Sequence, residues 1–306
     1  MTIAMYFDDL ESLPEYGQAQ LAFSGIRDIQ YELNVLNSQL ILVSSMATYS
    51  GEGNFTRHWQ FGSDFGLVEG GHVKADLVFK QGEFRLDDVK TINHQELWAI
   101  CNDKYLTQRM FPRYYPKTIL VPDFSSLKHA ISLIEGSTKV LKSTVGSYSQ
   151  QVWIGDENYL LKQKLSYPLI AQEFIDSTYG IPGLTPGEHD LRVVMIESMP
   201  SLVLVRVPAP NEHRAGLRLG ASFYFADLDQ LPMSVKHMVS AIDDEFKEYK
   251  GRVYSIDCAL TASGPKIIEL NKEPAIWPSS EHPHIDTFNK QLAKHIVRYS
   301  KFGSPH

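Results

Sequence analysis

The stretch RVYSIDCALTASGPKIIELN, residues 252–271, constrains the chain more than any other. Two runs rich in apolar and β-branched residues flank the small, turn-forming segment Thr261–Pro265, a pattern that predicts an antiparallel hairpin. With those five residues as the loop, Leu260 pairs with Lys266, and counting back along both strands puts Asp257 opposite Glu269. Side chains alternate between faces along a strand, so Asn271 shares a face with Glu269 and, across the pair, with Asp257. Two directly opposed carboxylates repel each other, and burying them costs several kcal/mol unless a cation or donor answers them. Oxygen donors of this kind suit Mg²⁺, which binds through one or two carboxylates completed by waters and phosphate oxygens. Asp257, Glu269 and Asn271 are therefore candidate metal ligands; the alternative is a polar solvent face on an edge hairpin.

A length of 306 residues predicts two or three compact units with a sizeable core. The formal charge of -7 argues against nucleic-acid binding, which needs a basic face to neutralise phosphates. The two cysteines, Cys101 and Cys258, lie in apolar segments without CxxC spacing, so neither a disulfide framework nor a zinc site is expected. The N-terminal stretch turns acidic at Asp8, without a basic start plus apolar core, and is expected to be no secretory signal, and no apolar run approaches the roughly 20 residues that span a bilayer. A cytoplasmic protein without a membrane partner is the expectation.

Alternating strand and helix patterns over residues 1–101, with a helix over 16–36 and strands over 39–47 and 73–80, predict an α/β unit. Asn102 or Asp103 can cap a helix running to about Tyr114, where Pro116 ends it. A strand over 117–121, a helix over 126–136 capped by Ser125 and stopped by Gly136, and strands over 139–143, 151–155 and 167–176 follow. Strands covering LRVVMIE and SLVLVRVP, a helix over about 233–250 and the hairpin complete the chain. The expected units are residues 1–101, 102–176 and 177–306.

A metal held by so few protein ligands calls for phosphate oxygens. Lys142 ends a strand just before STVGSYSQ, where Gly146 and hydroxyl residues such as Ser143 and Ser147 can let backbone N–H groups fold over a phosphate chain. Arg192 and Arg206 each interrupt an apolar strand, and an unpaired buried guanidinium is costly. Each can pair with a local acid such as Asp190 or Glu173, but their recurrence in consecutive strands favours a shared anionic ligand.

The ordered set NDKYLTQRMF, KVLKSTVGSYSQQVWIG, LIAQEFID, HDLRVVMI, LVLVRVP and YSIDCALTASGPKIIELNKEP resembles the ATP-grasp superfamily, in particular the branch of glutathione synthetase and the ribosomal-protein glutamate ligase. The similarity covers roughly residues 102–280, and the preceding residues match the α/β pre-ATP-grasp domain in place and size. The resemblance implies an α/β chain with ATP between two α+β subdomains. By position, Lys104 and Lys142 look like the lysines that contact phosphate and adenine, and Ser143–Ser149 looks like the mobile glycine-rich cover. QEFI looks like the strand whose backbone reads adenine at Glu173 and Ile175, with Gln172 and Phe174 lining the pocket and Asp176 facing the ribose. Arg192 and Arg206 resemble the arginines that steady phosphates and intermediate. Asp257, Glu269 and Asn271 match the family's ligands for Mg²⁺, two ions by analogy, with Mn²⁺ as an alternative.

The implied chemistry is formation of an acyl phosphate from a substrate carboxylate, then capture by an amine to give an amide or peptide bond. Its partners are ATP, a small carboxylate or peptide and an amine acceptor; a homo-oligomer stays open. Two positions depart from the family: Gly216 stands where close members carry Asn, and Ala275 where Gly is common, with Arg214 or Arg218 available to compensate. An ATP-binding module without turnover and a kinase on the same scaffold remain as alternatives. His189 can move protons near the phosphates, and His282 with His284 can bind a transition metal, but structural roles fit each better. Cys258, on the strand face opposite Asp257, reads as buried and inert.

Overall fold

Both faces are buried along Thr2–Phe7 (β1), Gln39–Ser44 (β2) and Leu77–Lys80 (β8), as in a parallel sheet covered on two sides. The computed structural model describes residues 1–8, 17–62, 66–83, 85–146, 151–216, 219–273, 276 and 279–303, and in it β1 pairs in parallel with β2 and with β8. Thr91–Ile92 (β9) extends the parallel run, while His58–Phe61 (β5) and Leu67–Gly70 (β6) add antiparallel strands, giving the order β6-β5-β2-β1-β8-β9. On one face, Ile3, Met5, Leu40 and Leu42 pack with Ile29 and Leu33 of Gly17–Val35 (α1) and with Phe288 and Leu292 of Pro283–Phe302 (α7). On the other, Ala4, Tyr6 and Val43 meet Phe55 from a small sheet of Tyr49–Gly51 (β3), Asn54–Phe55 (β4) and Val73–Lys74 (β7). The expected single strand over 73–80 is thus two strands in different sheets. The chain breaks at Ala75 and Asp76, whose N–H groups donate to the carbonyls of Gly53 and Thr2.

A four-stranded antiparallel sheet follows, in the order Thr118–Val121 (β10), Leu169–Glu173 (β13), Lys139–Ser143 (β11), Val152–Gly155 (β12). Phe124–Ser132 (α4) covers one face through Leu127, Ala130 and Ile131, and the short helix Glu157–Leu160 (α5) follows β12. The cap of α4 is Asp123 rather than Ser125: its carboxylate accepts the Ser126 N–H at 3.0 Å and the Ser125 hydroxyl at 2.6 Å. A separate helix, Gln95–Asn102 (α2), comes first, and the helix expected after an Asn102 or Asp103 cap is Lys104–Met110 (α3), with Asp103 as its cap. It ends early because Pro112 disfavours helical geometry at Phe111.

The third sheet runs Ser222–Ala226 (β16), Met199–Val207 (β15), Asp190–Ile196 (β14), Val253–Thr261 (β17), Gly264–Asn271 (β18), all antiparallel. Leu191, Val193, Val205, Ile256 and Cys258 share one face and pack on Val235, Met238 and Ile242 of Met233–Phe246 (α6). The other face carries the charges. The predicted pairing of Asp257 with Glu269 is present, but by a different route: the turn is tighter, with Thr261 opposite Gly264 and Leu260 opposite Pro265. Gly264 at φ +112 supplies the left-handed backbone that this turn needs. The resulting one-residue offset is undone at Ile268, an extra residue between the Cys258–Ile267 and Asp257–Glu269 pairs. The bulge puts Ile268 and Glu269 on the same side.

Asn93, buried after β9, ties the first sheet to the third: its Oδ1 accepts the Val253 N–H at 2.6 Å, and its Nδ2 donates to the carbonyls of Val253 and Lys272 at 2.6 and 2.7 Å. Asn93→Ala leaves these groups buried and unpaired, so stability should fall by about 3 kcal/mol, read as a lower urea midpoint at unchanged slope.

Candidate functional site

A cavity of about 390 Å³ lies between the four-stranded sheet and the charged face of the five-stranded sheet. Of the residues singled out in the sequence, Lys104, Lys142, Ser143, Gly146, Gln172, Glu173, Phe174, Ile175, Arg206 and Glu269 line it. Arg192 and Asp257 are beside them on the same sheet face, Asp257 opposite both Arg192 and Glu269 and bonded to Arg206, and Asn271 lies two residues beyond Glu269. Asp176 is not among the lining residues; its carboxylate accepts the N–H and hydroxyl of Thr178 in the following turn. Ser147 lies outside the described residues, as do Arg218 and Ala275.

Part of the cavity lining is apolar: Val140 and Ile154 from the four-stranded sheet, and Ala259 and Ile268 from the five-stranded sheet. Beside it the ring of Phe174 meets His213 edge to face, with centroids 5.0 Å apart. The Glu173 N–H donates to the carbonyl of Lys117, so β13 holds this rim in register with the segment before β10. Gln172, buried, donates to the Thr118 hydroxyl at 2.7 Å.

The lining is also cationic. Lys142, at the end of β11, donates across the cleft to the carbonyl of Ile268, the bulged residue, at 3.0 Å. Burial, with Lys104 adding to it, pulls the Lys142 ammonium down to about 8. Lys104, the first residue of α3, donates to the carbonyl of Gly146 at 2.7 Å and lies 3.8 Å from Glu269. Both ammonium groups therefore face chain oxygens at 3.8 Å or less, a role that the oxygens of a bound anion could take over.

Asp257, only 1% exposed, is the hub of the charged face. Its Oδ1 accepts from Nε of Arg192 at 2.7 Å, and its Oδ2 accepts from Arg192 and Arg206 at 2.6 Å each. Arg206 also donates to Asp190 at 2.6 Å. Burial alone would raise the Asp257 carboxyl, but the two guanidinium groups outweigh it and hold it below the usual range. For Asp190, burial wins over Arg206, with Asp257 adding to it, and its carboxyl is pushed up. Both arginines are thus paired with acids of the chain, Asp257 for the two of them and the local acid Asp190 for Arg206, which is the alternative to the shared anionic ligand that their recurrence favoured.

His189, a cavity-lining residue, takes a structural part. Its Nδ1 meets the carbonyl of Gly187 at 2.9 Å and its Nε2 accepts the Leu260 N–H at 3.0 Å, which leaves neither nitrogen for proton transfer; burial lowers its pKa. Cys258 faces α6, and burial pushes its thiol well up, so it is no nucleophile. His282 caps α7 and His284 pairs with Asp227 at 2.8 Å. Among the described residues, no three His, Cys, Asp or Glu side chains form a metal-binding group. What is present is a mixed oxygen set, Asp257, Glu269 and the amide of Asn271, whose Nδ2 is buried without a partner among the described residues. His213 lines the cavity unforeseen by motif, and Arg214, which the sequence offered as a compensating residue, lines it too, held by Glu212 in a two-pronged pair.

No protein-family model matches the chain, and no curated protein is similar to it in sequence. Solved structures do match. D-alanyl-alanine synthetase A from Vibrio cholerae superposes with a TM-score of 0.65 at 12% identity over 98% of this chain and 97% of that one. A RimK domain ATP-grasp protein from Sphaerobacter thermophilus gives 0.59 at 13% over 95% and 99%. A D-alanine–D-alanine ligase from Bacillus anthracis, solved with ATP, gives 0.61 at 12% over 98% and 97%. The chain has the ATP-grasp fold. The cavity occupies the cleft between the sheet that carries Lys142 and the sheet that carries the arginines, with Lys104 reaching it from α3. No helix among the described residues is long and apolar enough to cross a membrane.

Replacing Asp257 by Asn leaves two buried guanidinium groups facing a neutral amide, which should cost about 3–5 kcal/mol of stability. Because the folded carboxyl is held down, its contribution is complete above the unfolded value of about 4 and is lost as pH falls through the folded value. The difference between the two proteins in denaturant melts should therefore shrink in acid.

Proposed function

We propose that the chain is an ATP-dependent ligase that joins a carboxylate to an amine through an acyl phosphate. The observation that carries this reading is a cavity whose lining joins an apolar set, Val140, Ile154, Ala259 and Ile268, to the cations Lys104, Lys142 and Arg206. The ATP-grasp fold, one of whose solved members holds ATP, supports ATP as the occupant. The hinge segment Glu173–Ile175 beside Phe174 would receive the adenine, and Gly146 with the segment after Ser143 would cover the phosphates. In this reading residues 102–176 and 177–306 are the two halves that hold ATP, and residues 1–101 the domain before them.

The donor set fits a hard divalent cation: Asp257 and Glu269 are directly opposed, and the unpartnered buried amide of Asn271 leaves its carboxamide uncommitted. These three residues would hold Mg²⁺, or Mn²⁺ in its place. When bound, the ion supplies charge neutralisation at the phosphate oxygens. Arg192 and Arg206 now occupy both oxygens of Asp257, so release from that carboxylate is what would turn two further cations towards the transferring phosphoryl group.

A substrate carboxylate oxygen attacks the γ-phosphorus and ADP leaves. The amine nitrogen then attacks the acyl carbon, phosphate leaves and the amine loses its proton. Positioning and charge do this work without a side-chain nucleophile, in keeping with an inert Cys258 and a fully engaged His189. Lys104 and Lys142 orient the triphosphate, and the arginines counter the charge gathering on its terminal oxygens.

ADP and phosphate should be released only when ATP, a carboxylate and an amine are all present. A stable phosphoester would make the protein a kinase, and binding without ADP a nucleotide-holding module. Glu269→Gln should lower metal-dependent ADP release by on the order of 100-fold with circular dichroism unchanged. Lys142 is charged below about 8 and neutral above it. Bound phosphates favour the charged form, so ATP affinity measured by calorimetry should weaken as pH rises past about 8, by up to about tenfold per pH unit. In Lys142→Arg that slope should be absent.

A further inference from the structure

Beside the Asp257–Glu269 pair, two buried side chains of the five-stranded sheet are left without a bond. Ser255 of β17 is directly opposite Asn271 of β18, one step along the same face from Asp257 and Glu269. Ser255 is 0% exposed, and its hydroxyl oxygen has no hydrogen-bond partner among the described residues. The Nδ2 of Asn271 is buried and unpartnered in the same way. Directly opposed residues of an antiparallel pair have Cβ atoms about 4.5–5.5 Å apart, so side-chain rotation alone brings a hydroxyl and a carboxamide into contact.

The neighbouring groups on the page offer Ser255 no other partner. On the β14 side it is opposite Val194, which with Leu202 of β15 belongs to the apolar core shared with α7 and the first sheet. Along β17 the next residues of the same face are Val253, also in that core, and Asp257, whose two oxygens are both taken by Arg192 and Arg206. The amide of Asn93, which reaches the start of β17, is spent on Val253 and Lys272. A hydroxyl in such a row loses water and gains no bond, a cost that an apolar residue of similar size would not carry. Asn271 is the one polar side chain opposite it.

A carboxamide has two unlike ends. When its oxygen ligates a cation, its NH₂ points away from the charge, and ligation makes that NH₂ a better donor. Side chains that ligate metals are held in orientation by a bond from their remaining polar atom to a group outside the ligand set. For Asn271 the acceptor in place for that bond is the Ser255 hydroxyl.

We propose that Ser255 is a positioning residue of the cation site: its hydroxyl oxygen accepts from Nδ2 of Asn271 and so turns Oδ1 of that carboxamide to an ion held with Asp257 and Glu269. The inference rests on the metal set of the proposed function, while affinity for the ion is measured without turnover and is independent of which reaction the chain performs.

The test uses the full chain in the presence of ADP, with Mn²⁺ as the probe and the electron paramagnetic resonance spectrum of the bound ion as the readout. Ser255→Ala should weaken Mn²⁺ binding by about tenfold or more. The losses should not add: in an Asn271→Ala background, Ser255→Ala should change nothing further. Urea melts without metal should move the other way, with the Ser255→Ala midpoint equal to or above that of the unmodified chain, because a buried hydroxyl without a partner has been removed. A serine that merely supported the fold would lower that midpoint. Glu269→Gln separates the two readings. Mn²⁺ binding that Glu269→Gln weakens and Ser255→Ala leaves unchanged overturns the positioning role and keeps the metal set. Binding untouched by both variants, or absent from the unmodified chain, overturns the metal set and the positioning role with it. Additive losses in the double variant overturn the positioning role, as does a lowered metal-free midpoint in Ser255→Ala, which needs no bound ion to be read.

Discussion

The site depends on a buried carboxylate with two guanidinium groups around it. Asp257 lies in the middle of a sheet face that would otherwise pack as core, and its desolvation is compensated because β14 and β15 carry Arg192 and Arg206 alongside it. Two strands to one side and one to the other must be in register for those contacts to form. The opposite face of the same strands is continuous hydrophobic core on α6, so a slip by one residue would bury the charges there and expose Leu191, Val193 and Ile256. Charge pairing and core packing thus specify the same register.

The second wall contributes cations that reach across the cleft. Lys142 comes from β11 and ends on the carbonyl of Ile268, and Lys104 comes from α3 and ends on the carbonyl of Gly146, near Glu269. These are charge-assisted contacts to neutral or weakly paired oxygens, the kind that phosphate oxygens can displace with gain. The apolar part of the lining needs no such exchange, because Val140, Ile154, Ala259 and Ile268 are already in place. The bulge serves both parts: it turns Ile268 to the apolar wall and presents its unpaired carbonyl to Lys142.

Much of this was legible along the chain. Alternation identified the strands, the position of small residues placed the turn, and charged residues inside apolar strands marked the face that carries Arg192, Arg206, Asp257 and Glu269. The details that failed were local competitions. Asp123 outcompeted Ser125 as a cap, Pro112 stopped α3 before Pro116 could, and the run over 73–80 divided between two sheets. The hairpin is the instructive case, since a turn misplaced by one pair and an unforeseen bulge cancelled, leaving Asp257 opposite Glu269. Asp176 turned away because Thr178 offered it a hydroxyl and an N–H close by.

By itself the sequence determined the sheet-forming segments, the burial of polar residues among apolar ones and the order of the lysines, arginines and acids, because these follow from period-two patterning and the cost of desolvating charge. Tertiary structure decided which charges meet. That Asp257 serves both arginines, that His189 is consumed by Gly187 and Leu260, and that Lys80 and Lys272 share the ring of Trp98 are contacts between residues up to 174 positions apart. No local rule links such positions. They are brought together only when separate sheets close on one another and each buried charge must find its partner among the groups that arrive.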